Sequence, residues 1–145
     1  MPNGVTEIAV YAFRFCSKIK RITFPNGITT FGGEGAFDGC NDVLAISLPE
    51  TLTAIPNDTF KNCYCIDSFT IPSAVKSIAG ARFHTSVNWK EMHFKPTTPP
   101  TVGYGTFMET LPPTDCVFYV PKGSLSAYTS KANYPSASTY TYIEE

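Results

Sequence analysis

Two histidines, His84 and His93, are the only ordinary general bases in this chain. A serine or cysteine nucleophile needs such a base within hydrogen-bond reach. Their spacing puts His84 at a turn on the outer side, just after Phe83, and His93 at an outward position of a strand. They project from different sides, so both read as surface histidines rather than a catalytic pair. The five cysteines contain no Cys-x-x-Cys, the spacing that a zinc ribbon or a dithiol redox pair requires. Gly32-Gly33-Glu34-Gly35 is glycine-rich but lacks the lysine of a phosphate loop and reads as a turn. Asn57-Asp58-Thr59 is a glycosylation sequon with meaning only in a eukaryotic secretory route. The expectation is a protein that is not an enzyme, with no metal and no cofactor.

The elements that must position these residues are repeats. Phe13, Phe37, Phe60, Phe83 and Phe107 recur every 23 or 24 residues, a period that means stacked supersecondary units rather than a globule. Five rows follow: Pro2–Phe24, Pro25–Leu48, Pro49–Ile71, Pro72–Lys95 and Pro96–Val120. Ile8, Phe31, Ile55, Ile78 and Val102 share a column ahead of the phenylalanines. Cys16, Cys40 and Cys63 come three residues after them, with Ser86 and Thr110 in the last two rows. Each row then closes on a strand such as Ile19-x-x-Ile22-x-Phe24 or Trp89-x-x-Met92-x-Phe94. Alternation sends Ile22 and Phe24 to one face and Thr23 to the other. One unit cannot bury its apolar columns alone, so its neighbours must stack on it.

Row one carries Val5-Thr6-Glu7-Ile8, then Ala12-Phe13-Arg14-Phe15-Cys16, then Ile19 through Pro25. This motif resembles the BspA-like leucine-rich repeats of bacterial and protozoan surface proteins. Val120-Pro121-Lys122-Gly123-Ser124-Leu125-Ser126-Ala127-Tyr128 is similar to the segment that closes such arrays. The departures are one residue inserted near Glu34, Ser86 in the cysteine column, and a disturbed fifth row around Leu111-Pro112-Pro113. The resemblance implies a leucine-rich-repeat solenoid, a right-handed superhelix. A short parallel sheet would form one face, with turns and short helical pieces on the other and a C-terminal cap. Repeats are expected over residues 1–121 and a capping segment over 122–145. Secretion or surface display is implied as well. This chain holds no apolar signal region, so the expectation is a trimmed mature protein or a fragment, with a cytoplasmic protein as the alternative.

Composition narrows the partners. With 11 basic and 12 acidic residues the net charge is −1, which gives no electrostatic footprint for nucleic acid or an anionic membrane. No run of 18 apolar residues is present to span a bilayer. The column Cys16, Cys40 and Cys63 reads as reduced, buried thiols, while a bridge between Cys65 and Cys116 stays open. In the tail, Ser124 is the expected N-cap of a helix to about Lys131, and residues 139–143 alternate as a strand. Tyr128, Tyr134, Tyr140 and Tyr142 read as the apolar side of a cap covering the last repeat.

What remains for function is the strand face. One outward column holds Arg21, Ala45, Ser68, Glu91 and Val117; the other holds Thr23, Ser47, Thr70, His93 and Tyr119. Arg21, Glu91, His93, Lys95 and Tyr119 are the candidate ligand-binding residues. The expected function is recognition or adhesion through binding a host or surface protein. The alternative is a spacer without a ligand, and glycan binding around Tyr119 is a third reading. The loop Thr97-Thr98-Pro99-Pro100, with Tyr104 and Pro112-Pro113 nearby, is a second candidate surface.

Overall fold

A computed structural model describes residues 4–80, 89–104, 106–107 and 115–145. The expectations for Phe83, His84, Ser86, Thr110 and Leu111-Pro112-Pro113 lie outside the described residues. The described chain is a parallel-strand solenoid of about five turns with little helix. Each turn carries two short strands. The first series is β1 (Glu7–Ile8), β3 (Thr30–Phe31), β5 (Ala54–Ile55), β7 (Ser77–Ile78) and β9 (Thr101–Val102). The second is β2 (Arg21–Thr23), β4 (Ala45–Ser47), β6 (Ser68–Ile71), β8 (Glu91–Phe94) and β10 (Val117–Val120). The tail supplies α1 (Leu125–Thr129) and β11 (Thr141–Glu144). All pairings are parallel, in the orders β1-β3, β5-β7-β9, β2-β4 and β6-β8-β10-β11.

The side opposite the longer strands has the expected turns, with two-residue strands in place of short helical pieces among the described residues. The reason lies in the backbone around each phenylalanine. Two residues before it, Tyr11, Gly35 and Asp58 have φ of 56°, 63° and 54°. Two residues after it, Phe15, Gly39 and Asn62 have φ of 57°, 74° and 59°. A right-handed helix cannot pass through two left-handed residues in five.

This conformation splits the amide groups into two sets. Phe13 N–H donates to Ala36 O and Phe15 N–H to Asp38 O in the next row, at 2.9 and 2.8 Å. Gly35, Phe37 and Gly39 donate in the same way to Asn57, Thr59 and Lys61 at 2.9–3.1 Å. The intervening amides close the turn itself, as in Arg14 to Tyr11 and Cys16 to Phe13. The Phe13 and Phe37 carbonyls each take a second donor from the next row. Cys40 Sγ lies 3.0 Å from Phe13 O, and Cys63 Sγ lies 3.2 Å from Phe37 O. The cysteine column therefore fills a hydrogen-bonding position as well as a volume.

Stacking completes the core. Phe13, Phe37 and Phe60 lie nearly parallel, with centroids 5.3 and 5.7 Å apart, which matches the rung spacing of ~4.8 Å with an offset. Ile28, Leu52 and Val75 line one flank of this column, and Val43, Ile66 and Trp89 another, all buried. Asp38 is buried too, and its two oxygens accept from Arg14 Nε and Asn62 Nδ2, both at 3.0 Å, tying three rows together.

The tail packs over the last repeat. Tyr128 and Tyr134 are buried against Phe94, and their phenols donate to Pro96 O and Pro100 O at 2.6 and 3.0 Å. Tyr140 and Tyr142 pack on Phe118. Ser124 does occupy the N-cap position of α1, but its hydroxyl turns back to Pro121 O. The helix stops at Thr129 rather than near Lys131. There Lys131 N–H turns to Tyr128 O in a tighter three-residue bond, and beyond it Asn133 adopts φ of 66° with its amide donating to Val102 O at 2.9 Å.

All five cysteines are free, so Cys65 and Cys116 form no bridge. Burial pushes the Cys40 thiol up to about 11 and the Cys116 thiol up to about 12, and raises Cys63 further. Only the half-exposed Cys16 and Cys65 should react with a thiol reagent at pH 8, with all five reacting in denaturant, as counted by mass. Phe37→Ala should destabilise by ~3–5 kcal/mol. Phe13→Ala, at the less covered end of the stack, should cost about half as much or less in denaturant unfolding.

Candidate binding face

The two outward columns of the long strands are in register as expected. Ser68, Glu91 and Val117 are partners across β6, β8 and β10, and so are Thr70, His93 and Tyr119. Arg21 pairs with Ala45, and Thr23 with Ser47. The tail adds what the sequence did not disclose. Strand β11 pairs in parallel with β10, placing Thr141 beside Val117 and Ile143 beside Tyr119, so the columns continue into the cap.

Glu91, His93, Lys95 and Tyr119 come together. The His93 and Tyr119 rings stack with centroids 4.4 Å apart and planes 5° from parallel. Parallel register makes this contact, since directly opposed side chains on one face lie within reach of each other. His93 sits between two carboxylates, with Nε2 3.5 Å from Glu91 and Nδ1 3.2 Å from Glu145. Lys95 Nζ donates to the same Glu145 carboxylate at 2.8 Å. Glu145 is held there by its backbone: its N–H donates to Val120 O and its carbonyl accepts from Lys122 N–H. Nothing in the sequence singles out this residue, which reaches the site only because the tail returns alongside β10.

Arg21 stands apart from this group. It lies on β2, across β4 from the four-stranded sheet, and no ladder joins β4 to β6. There it borders a hollow of about 220 Å³ with Thr23, Ser47, Glu50 and Thr70. His93 is not the plain surface histidine that the sequence suggested, being mostly covered by its partners. His84 lies outside the described residues.

The thiols of Cys40, Cys63 and Cys116 are held protonated by burial and supply no thiolate. Among the described residues, no group of three or more His, Cys, Asp or Glu side chains is placed to hold a metal. None of the described helices is long and apolar enough to cross a membrane.

The hydrogen bond from Lys95 holds the Glu145 carboxyl below its ordinary value, helped by His93 and opposed by partial burial. A depressed carboxyl stabilises the fold above its unfolded value of about 4.3, and that contribution is lost as pH falls further. Protection of the β11 amides, taken relative to their intrinsic exchange rates at each pH, should therefore fall below about pH 4.3. Glu145→Gln should flatten this acid response while leaving exchange in the Phe37 turn unchanged.

Comparisons with known proteins agree with this architecture. The family described as "BspA type Leucine rich repeat region (6 copies)" matches residues 1–111. Among solved structures, the chain is similar to the pneumococcal vaccine antigen PcpA, with a TM-score of 0.73 and 18% identity over 99% of this chain. It is also similar to a leucine rich cell surface protein from Faecalibacterium prausnitzii, with a TM-score of 0.57 and 21% identity over its whole length. The chain spans only 40% and 31% of those two proteins. At these identities the likeness is one of fold. No curated protein matches the sequence. With the family match extending over most of a chain whose strands, turns and phenylalanine column repeat as that family's do, this protein belongs to the BspA-type leucine-rich repeat family.

Proposed function

We infer that the chain is a non-enzymatic recognition module of a cell-surface or secreted protein, binding a protein partner through its strand face. The observation carrying this reading is the cluster of Glu91, His93, Lys95 and Tyr119 on a four-stranded parallel sheet. Side chains fixed by a ladder and by one another lose little conformational freedom on binding. Tyrosine beside charged groups is a common interface composition. The surface location rests on the family and on one similar structure being described as a cell surface protein. Fold by itself assigns no ligand.

A specific observation favours the second reading, a spacer that binds nothing. Lys95 and His93 already hold Glu145, so part of the polar capacity of the face is used internally. Glycan stacking on Tyr119 is disfavoured for a similar reason, because His93 covers one face of that ring.

Binding to intact host cells and extracellular-matrix proteins separates these readings when the chain is compared with its Glu91→Ala, Tyr119→Ala double variant. The recognition reading expects saturable binding that the variant reduces by about tenfold or more, the usual consequence of removing interface anchors. Binding that the variant leaves unchanged moves recognition off the strand face. Absence of binding to any of these surfaces leaves the spacer.

A further inference from the structure

A second recess lies on the side of the coil, away from the strand face, where the rows begin. Its walls are Ser73, Ala74, Val75 and Lys76 at the start of row four and Pro96 through Thr101 at the start of row five, with Lys131 from the cap. It encloses about 500 Å³, within the ordinary range for ligand sites. Among the described residues, two lysines line it and no aspartate or glutamate does. The hydroxyls of Ser73, Thr97, Thr98 and Thr101 belong to exposed residues, while Pro96, Pro99 and Pro100 are buried beneath them.

The floor is built rather than loose. Thr101 N–H donates to Lys76 O at 2.9 Å, joining the two rows directly under the recess. The buried phenols of Tyr128 and Tyr134 clamp the proline loop from behind through Pro96 O and Pro100 O. Asn133 fixes the next stretch through Val102 O. Lys131 lies two residues from Asn133 in the same short segment, so the cap holds a cation over the edge of the array.

We propose that this recess binds an acidic polysaccharide, a chain bearing uronate or sulfate groups, with Lys76 and Lys131 engaging the anions and the hydroxyls of Ser73, Thr97 and Thr98 the sugar oxygens. The Thr101 hydroxyl instead donates to Lys76 O and helps hold the floor. Charge selects an anion, since the lining is cationic without compensation. A row of hydroxyls suits a polyol, and the described lining has no aromatic ring to anchor a peptide side chain. The protein as a whole carries a net charge of −1, so a polyanion has no general attraction to it and binding must come from a local site. This proposal is independent of the strand-face reading, whose residues lie on the other strand series.

Isothermal titration of the full chain with a heparin tetrasaccharide, its desulfated N-acetylated counterpart and a glutamate oligomer tests it. The sulfated sugar should bind, the desulfated one more weakly, and added salt should weaken both. Lys76→Gln and Lys131→Gln should each lower affinity by about tenfold, in line with loss of a charged hydrogen bond. Lys18→Gln, in row one, should change nothing. The proposal falls if neither tetrasaccharide binds, or if the two groove variants bind as the parent does. It falls equally if the glutamate oligomer binds more tightly than both sugars with the same lysine dependence, which would make the recess a peptide site.

Discussion

The structure depends on how the amides around each phenylalanine are divided between two partners. Left-handed residues on either side of the ring turn alternate N–H groups toward the next row, and the others close the turn within their own row. Every buried amide needs a partner, and this alternation supplies one without helix or long strand. It also carries the array across a gap. Between rows two and three neither β3 and β5 nor β4 and β6 are joined by a ladder. The turn bonds from Gly35, Phe37 and Gly39 to Asn57, Thr59 and Lys61 continue there unbroken.

Side-chain chemistry follows from that backbone. Rows repeat at the height of one hydrogen bond, so identical residues stack on identical residues, and a flat ring suits the interior where the turns meet. Cysteine recurs because a small thiol can sit between rungs and still donate to the Phe carbonyl below it. Glycine at Gly35 and Gly39 has a different cause. A Cβ there would collide with the Tyr11 and Phe15 rings, which lie over row two and flank the Arg14 guanidinium. Those two aromatic residues themselves hold left-handed backbones, an uncommon choice that the ring contacts with Arg14 help to offset.

A stack must also end. The last repeat would otherwise offer an apolar face and an open strand edge. The tail meets both needs: its tyrosine rings cover Phe94, Phe107 and Phe118, and β11 pairs with the open edge of β10. The same tail remodels the surface on both sides of the coil. It brings Glu145 to His93 and Lys95 on the strand face, and Lys131 to Lys76 and the threonines at the side.

From the sequence alone came the repeat, its register, the buried columns and the identity of the outward residues, because each depends only on position within a row of 23 or 24. Period and alternation are local properties, and parallel stacking copies them from row to row unchanged. The sequence carried no sign of how the expected turns are built, since left-handed backbone at Tyr11 or Phe15 is not what such residues prefer and is imposed by bonds to a neighbouring row. Nor could it tell that His93 would be enclosed, that Arg21 would lie beyond a break in the ladder, or that Glu145 would join the site. The first two follow from strand register and from a ladder that stops between rows two and three, and the third from where a tail without the repeat comes to rest. Its position is set by burial of tyrosines against the final row, so only the tertiary structure decided it.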